Sequence, residues 1–218
     1  MKTLIKHLVR ENMAVIAANS FFNCHCMGLH SIMLINSPGQ TVRLYIAPPN
    51  NELWRNDPVM NYSDTVPMSI GFHPHHCNIT LNVIKGTLYN HTIGAKATHI
   101  ESAMGVDIVR LQEYSYQSAI KEGKAKFIRL KSQKFFKGYT TTIHSGDSLF
   151  LSAEEMHTVF IEEKAGYTAW FVYEGKENPN HENHLFTNTE PDVSNPEFYK
   201  PMKDPETIIS LLTNADLL

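Results

Sequence analysis

Gly71-Phe-His-Pro-His-His-Cys-Asn-Ile-Thr-Leu-Asn-Val-Ile-Lys-Gly86 is the stretch on which the reading of this chain turns. In an extended strand, side chains alternate between faces. His73 and His75 then share a face with Cys77, Ile79, Leu81 and Val83, while Asn78, Thr80 and Asn82 face the other way. The spacing thus predicts two imidazoles at the mouth of an apolar interior. Buried imidazole nitrogens need partners, and a divalent metal satisfies two of them together. A pair of hydrogen-bonded core histidines is the plainer alternative.

A second informative segment runs from Gly146 to Ile161. Ser145-Gly146-Asp147 reads as a turn and Ser148 to Leu151 as a short strand. A polar loop, Ser152 to Met156, then delivers His157 onto a further strand. On that strand His157, Val159 and Ile161 share a face, so this histidine also opens onto an apolar interior. His7, His91, His144, His181 and His184 lie in polar surroundings and read as surface groups.

The remainder supports a single domain rich in strands. The chain has 218 residues, 42% of them hydrophobic and 19% charged, as expected for a folded domain with an adequate core. A formal charge of −3 says little about partners. Three cysteines, Cys24, Cys26 and Cys77, are too few and too odd for a disulfide framework, which points to a reducing, cytoplasmic compartment. Lys6, Arg10 and Glu11 interrupt the N-terminal apolar residues, so neither a secretory leader nor a membrane span is expected. Cys24-His25-Cys26 has no second soft-ligand pair at a matching interval and reads as a chance fragment rather than a zinc site.

Strand-rich runs His30 to Ile35 and Thr41 to Ala47 flank Ser37-Pro38-Gly39-Gln40, a hairpin signal. Thr87 to Thr92 reads as a returning strand. Between Ala95 and Glu122 the pattern is undecided, because Ile100, Met104, Ile108 and Leu111 at helical spacing compete with β-branched patches. Seven basic residues from Lys121 to Lys137, with Phe127, Phe135 and Phe136 interleaved, read as a solvated hairpin face in preference to a nucleic-acid surface. Tyr167 to Tyr173 is an aromatic strand. From Lys176 the composition suggests an extended tail laid over the body or over a partner in a homodimer. The tail ends in a short helix with Asp204 as its N-cap, Pro205 at its first position, and Ile208, Ile209 and Leu212 buried.

These two segments resemble the paired motifs of the cupin superfamily, Gly-X5-His-X-His-X3,4-Glu-X6-Gly and Gly-X5-Pro-X-Gly-X2-His-X3-Asn. His73, His75 and Gly86 match the first, and Gly146 and His157 match the second. Pro67 replaces the leading glycine and Ile79 replaces the glutamate ligand, while Ser152, Glu154 and Ile161 replace the second motif's Pro, Gly and Asn. Thr87 to Ser145 is long for the span between the motifs. The resemblance covers roughly Ile70 to Tyr173.

It implies a single cupin jelly-roll barrel with a core at about 30–175, short peripheral helices and a C-terminal tail over 176–218. It also implies a metal held by His73, His75 and His157. Loss of the glutamate leaves three neutral imidazoles, a set similar to that of the thiol dioxygenases. This favours Fe(II), with Zn, Mn and Ni as alternatives, and an oxygenase that takes a small molecule and O2. That group's Ser-X-His-X-Tyr pattern is here Ala169-Trp-Phe-Val-Tyr173, which keeps only Tyr173 as a catalytic hydroxyl. Arg43 and Arg55 are the expected binders of an acidic substrate group, with Cys77 and Ile79 beside them. The competing readings are a non-catalytic metal-binding cupin that serves as a binding or assembly module, and a Zn or Mn isomerase or lyase.

Overall fold

The computed structural model describes residues 2–58, 68–97, 107–119, 124–178, 182–191 and 197–218. Pro67, Ile100, Met104, Lys121, Glu122 and His181, all of which figure in the sequence reading, lie outside these residues.

Thirteen strands and two helices organise the described chain around two opposed antiparallel layers. The first layer joins β1 (Phe21–Phe22), β2 (His30–Ser37), β3 (Gln40–Ala47), β4 (Ile79–Lys85), β9 (Ser148–Leu151), β11 (Thr168–Glu174) and β13 (Lys200–Pro201). Their spatial order is β13-β1-β2-β3-β11-β4-β9. The second layer has two three-stranded parts. One is β10 (His157–Phe160), β5 (Thr87–Thr92) and β8 (Tyr139–His144), in that order. The other is β12 (His184–Thr187), β6 (Ile108–Ala119) and β7 (Lys124–Phe136).

Phe72 and His73 join the two parts. Phe72 exchanges both backbone hydrogen bonds with Phe186, each at 2.8 Å, while His73 does the same with His157 at 3.1 and 3.3 Å. In an extended backbone, successive residues point their amides and carbonyls to opposite sides, so two residues suffice to bridge two strands. The second layer then reads β7-β6-β12, Phe72-His73, β10-β5-β8.

The β2–β3 hairpin forms where the Pro-Gly signal places it, with Ser37 opposite Gln40 and Gly39 at φ +78°. Gly86 (φ +75°) and Gly146 (φ +100°) both take the left-handed conformation that a side chain disfavours. A Cβ on Gly86 would also stand 2.7 Å from Thr168 Oγ1.

Both faces of the first layer are buried. Leu81, Val83, Trp170 and Val172 meet Leu88 and Ile143 of the second layer in the inner core. Ile32, Leu34, Val42, Leu44, Ile46, Ala169 and Phe171 face outward and are covered by helices. One cover is α1 (Lys2–Ala18), which contributes Ile5, Val9 and Ile16 and departs from helical geometry at Asn12. The other is α2 (Pro205–Asn214), capped by Asp204, whose side chain accepts from the Glu206 amide at 3.1 Å. Ile208 and Leu212 are fully buried as expected, whereas Ile209 is only half-buried. The core therefore draws on residues from Ile5 to Leu217, well beyond 30–175.

Several other expectations are corrected. The described part of the undecided region, from Ile108, is strand. The tail contributes β12 and β13 to the sheets and lays α2 over the first layer. Residues 74–78 are not strand, because Pro74 has no amide to give a ladder, and regular pairing begins only at Ile79. His91 is buried at 3% exposure, with Nδ1 at 2.9 Å from Thr140 Oγ1, and His184 is half-buried with Nδ1 at 2.9 Å from Glu113 Oε1. No described helix is long and apolar enough to cross a membrane.

Candidate metal centre

His73, His75 and His157 converge, each offering a ring nitrogen within 4.8 Å of the others. Three different supports bring them together. His157 opens β10 and pairs with Thr92 of β5, His73 is fixed by its bridge to His157, and His75 donates its amide to the Ala153 carbonyl at 2.9 Å. Asn78 Oδ1 in turn accepts from the Ala153 amide at 2.9 Å and holds that loop.

Hydrogen bonds at the back of two rings set which nitrogen faces the centre. His73 Nδ1 lies 2.9 Å from the Gly71 carbonyl, an acceptor only, so Nδ1 carries the proton and Nε2 keeps its lone pair. His157 Nδ1 lies 2.5 Å from Asn90 Oδ1. At its other end the Asn90 amide donates to Thr92 Oγ1 at 3.2 Å. His157 Nε2 and His75 Nε2 then point at each other across 2.7 Å. Ring centroids of 4.9, 5.4 and 5.0 Å for the three pairs complete the triangle.

All three imidazoles are pushed below their ordinary pKa, first by burial and, for His75 and His157, also by the neighbouring histidines. A cluster of neutral imidazoles, two of which carry the proton on Nδ1 and the lone pair on Nε2, is a donor set that suits a borderline divalent transition metal and suits magnesium or calcium poorly. The donor set therefore fits the group that the motifs imply. Asn90 plays the part of an outer partner that fixes a ligand's tautomer. Sequence reasoning missed it, although Leu88, Asn90 and Thr92 alternate with the inward face of β5 and an amide there has to find a partner.

His76 is not in the cluster. Its ring is 40% exposed, with Nε2 3.5 Å from Glu177. Tyr173 is 39% exposed and packs on Phe171, on the helix-covered face opposite Trp170 and Val172. Its parity therefore separates it from the centre. Cys77 and Ile79 are each 2% exposed in the inner core and present no surface to a substrate. Arg55, on the short 3-10 helix Leu53–Asn56, is paired with Glu52 at 3.0 Å and leans on Trp54. Arg43 alternates with the outward Val42 and Leu44, so it shares the inner face of β3 with Tyr45. Its guanidinium donates to Ser31 Oγ at 3.3 Å and stands 3.8 Å from Glu174.

Two layers of antiparallel strands, a helix-covered outer face and a histidine cluster at one mouth are now in place. This is the two-layered antiparallel architecture that the motif resemblance implies. No family model matches the chain, and no curated protein does. Among solved structures, the iron(II) form of HppE shares 12% identity at a TM-score of 0.35, over 67% of this chain and 49% of that one, so this chain spans about half of its length. An uncharacterised double-stranded β-helix protein from Klebsiella pneumoniae shares 12% identity at a TM-score of 0.38, over 74% of this chain and 85% of that one. The polyketide cyclase RemF from Streptomyces resistomycificus shares 11% identity at a TM-score of 0.38, over 91% and 92%. Likenesses of this size carry no argument, and the chemistry must be read from the site itself.

Proposed function

We propose that this cupin binds one divalent transition metal, Fe(II) ahead of Zn, Mn or Ni, through His73, His75 and His157, and acts on a small molecule as a non-haem oxygenase. One observation carries the reading. Two of the three rings have Nδ1 committed to an acceptor behind them, and the Nε2 atoms of His75 and His157 meet at 2.7 Å. With the proton of His157 on Nδ1, its Nε2 accepts from His75 Nε2–H, and a divalent cation would take the place of that shared proton between the two nitrogens. When bound, iron(II) would supply a centre with open positions for dioxygen and substrate together.

The protein's share is orientation and exclusion of water. The Gly71 carbonyl and Asn90 hold two rings in register, and the inner core walls the site from below. Arg43, on the inner face of β3, would meet an acidic group of the substrate in a bidentate fork by exchanging its contact with Glu174.

Metal analysis of protein purified without added metal, followed by oxygen uptake of the iron-loaded protein with small organic acids and thiols, tests the proposal. Iron with substrate-dependent uptake, diminished in Arg43→Ala, is expected. Bound zinc without oxygen uptake in any combination would replace the oxygenase with a non-catalytic or hydrolytic cupin.

A further inference from the structure

Beside the three-histidine cluster stands a second arrangement that the motifs do not mention. Among the described non-glycine residues, Asn23 (φ 50°), His25 (φ 73°) and Tyr199 (φ 51°) all take left-handed backbone and lie together. Histidine and tyrosine bear a Cβ that disfavours this region, and such conformations persist where surrounding contacts enforce them, often at functional sites. Here the enforcing contacts come from Asn23. Its carbonyl accepts from the Tyr199 amide at 3.4 Å, its Nδ2 donates to the Glu197 carbonyl at 3.0 Å, and its Oδ1 accepts from the Gly28 amide at 2.9 Å.

The loop and the tail thus deliver two side chains, 174 residues apart, into one hydrogen bond of 2.9 Å between Tyr199 Oη and His25 Nδ1. The His25 ring lies nearly parallel to that of His73, at 6.2 Å and 24°, and to that of Tyr45, at 6.4 Å and 25°. Tyr45 in turn stacks on Trp170 at 5.6 Å. The His25 ring stays exposed beside the centre although Tyr45, His73 and Tyr199 stand against it. Backbone bonds already stitch the loop to the tail, and a purely structural pair would not need an accessible imidazole next to His73.

The hydrogen-bond pattern gives the ring a direction. With the Tyr199 hydroxyl donating to Nδ1, the neutral His25 ring carries its proton on Nε2, across the ring from Tyr199. Nε2 makes no hydrogen bond among the described residues, so this tautomer presents a donor beside the centre. The Arg43 guanidinium is near enough to act on His25, with Glu174 3.8 Å from it as its counter-charge.

We propose that His25 and Tyr199 form a ligand subsite beside the three-histidine centre, in which the His25 imidazole donates a hydrogen bond to the carboxylate of a small organic acid. It rests on the metal reading only for where the rest of the ligand goes. Tyr199 acts through His25, as a positioning residue.

The test uses the full-length protein with and without zinc, benzoate as the probe, and calorimetric titration, with zinc stoichiometry and melting temperature measured for every variant. Asparagine tolerates left-handed backbone, so His25→Asn removes the imidazole without new strain, and Tyr199→Phe removes only the hydroxyl. Wild type should bind benzoate, and each variant should bind it about tenfold more weakly, the size of one lost hydrogen bond, with zinc binding unchanged. Equal benzoate affinity in all three proteins would overturn the subsite, as would zinc binding without any benzoate binding. If wild type binds benzoate in this variant-dependent way but holds no zinc, the subsite stands and the metal reading falls.

Discussion

His73 and His157 sit directly opposite one another across an antiparallel bridge, each amide donating to the other's carbonyl, at 3.1 and 3.3 Å. Opposed residues in such a pair project their side chains to the same face, so backbone pairing alone sets the two rings 5.4 Å apart. His75, the remaining member of the cluster, depends on a loop contact to Ala153. The centre is therefore built on the seam that Phe72 and His73 make between the two parts of the second layer.

Asn90 should matter to metal affinity without touching the metal. Asn90→Leu keeps the size of a side chain that is 1% exposed but removes the acceptor for His157 Nδ1. Loss of such an outer partner lowers metal affinity about 10- to 100-fold. Competition with a chromogenic chelator for zinc should show this, with far-ultraviolet circular dichroism unchanged. Affinity equal to wild type would remove Asn90 from the account.

The helical cover should contribute measurably to stability. Leu212 is fully buried with Ile5, Phe171 and Ile208 between α2, α1 and the outer face of the first layer. Leu212→Ala is expected to cost about 2–5 kcal/mol in urea unfolding. A change below about 1 kcal/mol, the scale of surface substitutions, would mean that α2 is peripheral to the fold.

The three histidines that converge were legible from their spacing, and the Pro38-Gly39 hairpin from its turn chemistry, because both signals are local. Tyr173 was misplaced for a physical reason. Ala169 to Val172 are all buried, since α1 and α2 cover one face of the layer and the inner core covers the other, so alternation could not say which face was inward. The pairing of His25 with Tyr199 joins residues 174 apart and leaves no short-range trace. Pro74 hid a break in what looked like one continuous strand.

Acid should destabilise the protein through buried neutral histidines. Burial pushes His91 down from 6.5 to about 4, partly offset by a backbone hydrogen bond at Tyr139 and by Asp57. Its folded pKa lies below its unfolded one, so the unfolded chain binds the extra proton first. The stabilisation is complete above about pH 6.5 and is lost as pH falls toward 4. Its slope is at most about 1.4 kcal/mol per pH unit for one group. Urea midpoints of the metal-free protein should fall across that window and fall less steeply in His91→Asn. Parallel curves for the two proteins would assign the acid sensitivity to other groups.

The central claim is that His73, His75 and His157 hold one ion while the neighbouring His76 holds none. Zinc stoichiometry of the dialysed, zinc-loaded protein, measured by elemental analysis for wild type, His157→Ala and His76→Ala, tests it directly. One zinc per chain in wild type and in His76→Ala, with none retained by His157→Ala, is the predicted result. Full zinc in His157→Ala with loss in His76→Ala would contradict the account and place the ion on a different set of histidines.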